Sequence, residues 1–229
     1  TAPCVAYHPK DPLWRALEPD AANTHARFSF APSKVSNNLC LAGLSFIHYT
    51  FYMSQSTRYA FLGTPEFAAI ILEELIAAGM TPTVVITNPD RPVGRKRTIT
   101  PPPAKVVAEK YGIKVWQPEK LSAEGWKSNV GEVNFGVVAA YAKILPPEIL
   151  SIPSMGFIVV HPSLLPRHRG ATPIQTAILS GDKVTGATLI LADEKVDHGP
   201  ILAGREWEIR NSNFETLNLE LADLSADLL

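Results

Sequence analysis

The sequence predicts an α/β fold: a doubly wound, mostly parallel open sheet with helices on both faces, preceded by an irregular N-terminal extension. Three observations carry the prediction. From residue 58 onward, short apolar and β-branched runs alternate with segments whose apolar residues recur at helical spacing, the pattern that builds parallel sheets through crossover helices. The runs are apolar without strict alternation, as strands covered on both faces are. Residues 1–52 differ, because Pro, Asn, Ser and aromatic residues are scattered there and no helical or strand period persists beyond a few positions.

Residues 58–62 read as the first strand, and Thr64 followed by Pro65 supplies an N-cap and a proline at the first helical position. Ala68, Ile71, Leu72, Leu75 and Ile76 then share one helical face, and Gly79 closes the helix. A second strand follows at 83–87, a helix at 104–111 and a short strand at 114–116. Residues 135–140 form a β-rich buried strand ending at Tyr141, 146–150 a helical turn or two, 156–161 the next strand and 173–179 a helix. Residues 185–192 and 201–209 can pair as an antiparallel hairpin or edge. Ser212 and Glu215 make a capping-box pattern ahead of Leu217, Leu221, Leu224 and Leu228. In an open sheet of this kind ligands bind beyond the carboxyl ends of the strands, where both the Gly63 turn and His161 fall.

With 46% hydrophobic and 19% charged residues among 229, the chain has material for one large domain or a domain with an appendage. A net charge of −1 exerts no global pull toward nucleic acid or membrane, so any such binding must come from a local patch. Cys4 and Cys40 are the only cysteines, too few for a disulfide framework and at no metal-ligand spacing, which fits a reducing, cytoplasmic setting. No apolar run approaches the roughly 18–20 residues that span a bilayer. The N-terminus also lacks a basic region followed by an apolar one, so a cytoplasmic, unexported protein is expected.

The stretch Phe157-Ile158-Val159-Val160-His161-Pro162-Ser163-Leu164-Leu165-Pro166-Arg167-His168-Arg169-Gly170 drives an apolar strand into a histidine and a proline-bounded loop, as an active site at a strand end does. Taken alone, His161 reads equally well as a satisfied core or turn histidine, whereas a lone loop acid such as Asp197 is far more often solvated than catalytic. Together they carry more, since a carboxylate beside an imidazole orients it and favours its charged form. The stretch Asn88-Pro89-Asp90-Arg91-Pro92-Val93-Gly94-Arg95-Lys96-Arg97 reads by itself as a solvated, flexible basic loop.

These residues resemble the folate-dependent formyltransferases. His161 with Ser163-Leu164-Leu165-Pro166 and Gly170 is similar to the family's SLLPxxxG loop, and Asp197-His198-Gly199-Pro200 to its aspartate loop. Phe61-Leu62-Gly63-Thr64-Pro65-Glu66-Phe67 and the PDRPxGR loop resemble the branch that acts on methionyl-tRNA. Met53 opens a run that looks like the start of such a reading frame, so 53–229 is expected to be the catalytic domain and 1–52 a poorly ordered extension of unknown role. The leucine-faced last helix stops at Leu229, where tRNA-type relatives continue into a further C-terminal domain, so a chain cut before that domain is expected.

The resemblance implies transfer of a formyl group from 10-formyltetrahydrofolate to the amino group of methionyl-initiator tRNA, with no metal and no oligomer required. His161 would assist proton removal from the attacking amine, and Asp197 would hold and charge His161. Ser163, Leu164, Leu165, Pro166, Tyr141 and Ala142 would line the folate side. The family commonly has glycine where Ala142 stands, and glycine takes a positive φ cheaply where alanine does not. Arg91, Arg95, Lys96 and Arg97 would meet the phosphates and end bases of the tRNA. Arg167 and Arg169 extend that patch or face solvent.

At the position of Val159 the family has an asparagine that donates a hydrogen bond to the oxyanion of the tetrahedral intermediate. Valine has no donor, and losing one oxyanion donor costs roughly 100- to 1000-fold in rate, or about 3–4 kcal/mol. Impaired turnover is therefore expected. The alternatives are a sugar-nucleotide or other small-amine formyltransferase, and a non-catalytic homologue that binds folate or tRNA. A dinucleotide-binding dehydrogenase is disfavoured, because Gly63-Thr64-Pro65-Glu66 stands where GxGxxG would be.

Overall fold

The structure, a computed structural model, describes residues 57–210 and 213–229. The expected extension at 1–52 lies outside the described residues. A seven-stranded sheet runs in the order β5-β2-β1-β6-β7-β8-β9. Its strands are β1 (Tyr59–Gly63), β2 (Val84–Ile86), β5 (Lys114–Trp116), β6 (Phe135–Ala139), β7 (Phe157–His161), β8 (Val184–Leu191) and β9 (Ile201–Glu208). Pairing is parallel from β5 to β7, whereas β8 and β9 add to the edge antiparallel. The doubly wound, mostly parallel open sheet is thus as the sequence predicts, with the strand order reversing between β1 and β6.

The interior strands are buried on both faces, which is why their residues do not alternate. Ala60, Phe61, Leu62, Val84, Val85 and Ile86 are fully buried, and burying each large apolar side chain contributes about 1.5–3 kcal/mol. One face is covered by α3 (Ala123–Asn129) and α4 (Pro147–Leu150), where Trp126, Ile149, Val138, Tyr141 and Phe157 form a single cluster. Trp126 meets Phe157 edge-on, with ring centroids 5.7 Å apart. The helices α1 (Glu66–Ala77), α2 (Pro103–Lys110), α5 (Pro173–Leu179) and α6 (Phe214–Leu228) pack against one another away from that cluster. Leu217, Leu221, Leu224 and Leu228 all turn their side chains into the core, as their spacing predicts.

Several local expectations need correction. Thr64 is not the cap of α1: Pro65 occupies that position, its carbonyl accepting from the amides of Ala68 and Ala69 at 3.0 and 3.1 Å. The Thr64 hydroxyl is drawn instead to the end of β2, where it lies 3.4 Å from both the Thr87 hydroxyl and the Asn88 amide. Ser212 lies outside the described residues, and α6 is capped by Asn213, whose Oδ1 accepts from the Thr216 amide at 2.8 Å. Helix α3 has no counterpart among the elements expected from the sequence, because Trp126 is its one buried residue.

The basic loop is not open chain. Residues Arg91–Val93 (β3) and Thr98–Thr100 (β4) pair as a small antiparallel hairpin, with Pro92 opposite Ile99 and Gly94 to Arg97 forming the turn. Every residue of both strands is exposed, so no burial pattern betrays them in the sequence. Among the described residues no helix is long and apolar enough to cross a membrane.

Candidate active site

His161 is the last residue of β7, paired with Thr188 of β8 and one position beyond Val160, which pairs with Ala139 at the end of β6. It is buried to 4% exposure. Side chains two apart on a strand share a face, so Val159 projects beneath His161, where it packs against the Trp126–Phe157 cluster. The connection from β8 to β9 starts beside the lower half of β7, since Leu191 pairs with Ile158. It then climbs far enough to bring Asp197 to His161, with Oδ1 3.5 Å from Nδ1.

Asp197 adopts a left-handed backbone, φ 48°, and its other oxygen, Oδ2, accepts from the Gly170 amide at 2.9 Å. The side chains of His161 and Asp197 are only 5% and 11% exposed, so the pair interacts through a medium of lower dielectric than water. The loop that carries Asp197 is tied across its own base. Asp193 accepts from the Lys195 amide at 2.8 Å and contacts His198 Nδ1 at 2.6 Å. The hydrogen bond from His198 holds the Asp193 carboxyl below the usual carboxylate range.

The remaining nitrogen of His161, Nε2, lies 2.9 Å from the carbonyl oxygen of His168. A carbonyl only accepts, so Nε2 carries a hydrogen and donates it. The 163–170 loop is fixed from within. The Ser163 hydroxyl donates to the Arg167 carbonyl at 2.6 Å, the Thr188 hydroxyl to the Ser163 carbonyl at 2.6 Å, and the Leu165 amide to the Thr188 hydroxyl at 3.1 Å. The Leu165–Pro166 peptide is cis. Ser163 is fully buried with its hydroxyl committed inward, so it shapes the loop. Leu164 and Leu165 are half-buried and Pro166 is exposed.

At the end of β6, Tyr141 is buried, and burial pushes its phenol up to about 12. Its hydroxyl has no hydrogen-bond partner among the described residues, nor does Oδ1 of Asn88, whose Nδ2 reaches the Tyr141 carbonyl at 3.4 Å. Ala142 has φ 63°, the left-handed conformation that glycine in the same place would take without strain.

The hairpin rises from the end of β2. Lys105 Nζ clamps its base through Asp90 at 2.8 Å, and Gln117 Nε2 donates to Asp90 and to the Asn88 carbonyl, each at 2.7 Å. Arg91, Arg95, Lys96 and Arg97 are all exposed, and none has an acidic partner among the described residues. Arg167, in contrast, is paired with Asp182 at 2.6 Å, and Arg169 is exposed.

The structure therefore brings His161, Asp197, Val159 and the 163–166 loop together, places Tyr141 and Ala142 at the end of the neighbouring strand, and sets the basic hairpin farther along the same sheet edge. Gly170, Thr188, His168 and Asp182 complete the arrangement. Of these, only Gly170 belongs to a motif visible in the sequence. A broad hollow of about 760 Å³ at the opposite, amino-terminal end of the strands, lined by Arg58, Trp126, Lys127 and Asn134, contains none of these residues.

Residues 57–229 match the family model described as formyl transferase. The chain is 46% identical over 176 residues to the methionyl-tRNA formyltransferase of Halorhodospira halophila, covering 76% of this chain and 57% of that protein. It is 44% identical over 177 residues to the methionyl-tRNA formyltransferase of Thermodesulfovibrio yellowstonii, covering 76% and 58% respectively. The chain thus spans less than two thirds of the length of these relatives. Among solved structures, the phosphoribosylglycinamide formyltransferase of Bacillus halodurans superposes with a TM-score of 0.59 at 25% identity, covering 75% of this chain and 91% of that one.

Proposed function

The chain belongs to the formyl transferase family, and from that premise we propose that residues 53–229 form the catalytic domain of an enzyme that transfers the formyl group of 10-formyltetrahydrofolate to the amino group of methionyl-initiator tRNA. The observation that carries the reading is the approach of His161 and Asp197, 36 positions apart in the sequence, to 3.5 Å in a largely buried setting at the carboxyl end of the sheet.

The surroundings fit a folate. Ala142, Ile144 and Pro166 are exposed at the ends of the neighbouring strands β6 and β7 and offer apolar contact for a flat ring. When bound, 10-formyltetrahydrofolate supplies the formyl carbon that the amine attacks. His161 accepts the proton that the amine gives up, at Nδ1, because Nε2 already donates to the His168 carbonyl. Asp197 holds the resulting imidazolium and assists return of the proton to the departing nitrogen. Arg91, Arg95, Lys96 and Arg97 give the tRNA phosphates four cations that lack acidic partners among the described residues.

Val159 brings no donor to the strand that carries His161, so turnover is slow. The same observation favours a second reading, a homologue that binds folate or tRNA without turnover. Incubating the protein with 10-formyltetrahydrofolate and methionyl-initiator tRNA separates the two. Formylated product, formed slowly, supports the enzyme. Folate bound with no product selects the second reading, and no binding of either substrate overturns both.

A further inference from the structure

The carbonyl that holds His161 belongs to a residue in an unusual conformation. His168 has φ 55°, a left-handed backbone that costs a non-glycine residue about 1–2 kcal/mol, so its surroundings must hold it there. Its ring does so: Nε2 of His168 lies 2.6 Å from Oδ2 of Asp182, with the two side chains 12% and 5% exposed. The other oxygen of Asp182 accepts from Arg167 at 2.6 Å. Both carboxylate oxygens are thus spent on consecutive residues of the loop.

Asp182 is itself rigidly placed. Its amide donates to the Ala177 carbonyl at 3.1 Å and the Gly181 amide to the Ile178 carbonyl at 3.0 Å, the paired bonds that close the carboxyl end of α5. Because α5 begins at Pro173, just past the loop, the carboxylate closes a ring from His161 through the loop and helix and back to His168.

We propose that Asp182, acting through the ring of His168, fixes the tautomer of His161, so that Nε2 keeps its hydrogen throughout and Nδ1, which faces Asp197, is the one atom at which His161 gains and loses a proton. His168 and Asp182 are then positioning residues: neither side chain approaches the reacting atoms, and both act through one carbonyl. Without the hold, the ring of residue 168 swings free, its carbonyl turns away, and the Asp197 carboxylate draws the hydrogen of neutral His161 onto Nδ1.

The reaction served rests on the function proposed above, but the test does not. Long-range proton–nitrogen NMR on the labelled full chain reads the two ring nitrogens of His161, whose signals are identified by their loss in His161→Asn. The expected result is hydrogen on Nε2 with Nδ1 alone titrating, a shift of the hydrogen to Nδ1 in His168→Phe, and retention of the native pattern in His168→Gln, which keeps a donor for Asp182. Should His168→Phe fail to fold, Asp182→Asn, which removes the charge and retains an acceptor, serves the same purpose with a partial shift expected. A native spectrum in a folded His168→Phe protein overturns the proposal, as does a His161 with both nitrogens protonated at every pH at which the protein is folded. If turnover is present, kcat falls about 100-fold in His168→Phe with little change in the KM for folate. A native-like tautomer switch with no turnover in any variant counts against the proposed function and leaves this inference standing.

Discussion

The Gly170 amide donates to Oδ2 of Asp197 at 2.9 Å from a backbone with φ 104°, a conformation that L side chains rarely adopt. The bond sets which carboxylate oxygen remains for His161. A Cβ built on Gly170 meets nothing within 4 Å, so Gly170→Ala tests conformation rather than space. The substitution is expected to cost about 1–3 kcal/mol if the backbone stays in place. Alternatively, the loop relaxes, the amide leaves Asp197, and formyl transfer drops. Urea denaturation and the transfer assay read the two outcomes, and an unchanged value in both contradicts the role given to this amide.

Val159 lies two residues before His161 on the same face of β7, with Val138 and Ile190 as its partners on the flanking strands. An asparagine side chain there would project beside His161. Val159→Asn is expected to raise the rate of formyl transfer roughly 100- to 1000-fold, the value of one oxyanion donor. It should also lower stability by about 1–2 kcal/mol, because it buries an amide against the Trp126–Phe157 cluster. A rate unchanged in a folded variant means that the missing donor is not what limits turnover.

How far the sequence was legible follows from what each residue depends on. The sheet was readable because β1, β2, β6 and β7 are buried on both faces, and a run such as Phe157-Ile158-Val159-Val160 has no other economical place. The hairpin was not, since Arg91–Val93 and Thr98–Thr100 pair without burying anything. His161 and Asp197 were suggested by family motifs, but their contact depends on a loop that climbs from the foot of β7, a path that no spacing encodes. Asp182 was invisible for a similar reason. It acts through the carbonyl of His168, and a carbonyl leaves no mark in an amino-acid sequence. Ala142 is intermediate: resemblance flagged a position where glycine is usual, and the backbone takes the positive φ anyway.

That last strain is measurable. Ala142 is exposed, so its methyl contributes little packing, and φ 63° costs alanine about 1–2 kcal/mol. Glycine removes the strain and returns part of the gain as unfolded-chain entropy, about 0.5–1 kcal/mol. Ala142→Gly is expected to stabilise the protein by about 0.5–1 kcal/mol in urea denaturation. A loss of stability would mean that the methyl makes contacts worth more than the strain it imposes.

The base of the hairpin has a pH signature. The hydrogen bond from Lys105, and then that from Gln117, hold the Asp90 carboxyl below the usual carboxylate range. The folded chain therefore takes up this proton at lower pH than the unfolded chain does. The stabilisation is complete above the unfolded carboxylate range and is lost as pH falls through the folded value. Lys105→Met removes the leading cause, so the stability difference between native protein and variant should be full at neutral pH and shrink on acidification. A difference that stays constant down to acid pH would show that the Asp90–Lys105 pair, 2.8 Å apart, contributes no linkage.

The same hairpin makes a separable prediction about RNA. Arg95, Lys96 and Arg97 occupy an exposed turn and make no ion pair among the described residues, so replacing them removes charge without removing packing. Arg95→Ala, Lys96→Ala and Arg97→Ala should each change stability by no more than about 0.5 kcal/mol. Each should also weaken binding of methionyl-initiator tRNA, and the slope of log affinity against log salt should fall in magnitude by about 0.7–0.9 for every phosphate that the variant no longer neutralises. Folate binding should be unaffected, because the hairpin rises from β2 while the 163–166 loop follows β7, with β1 and β6 between them. A triple variant that binds tRNA with native affinity and native salt dependence would remove the hairpin from the RNA surface. A weakened affinity with an unchanged salt slope would instead assign the turn a contact with bases.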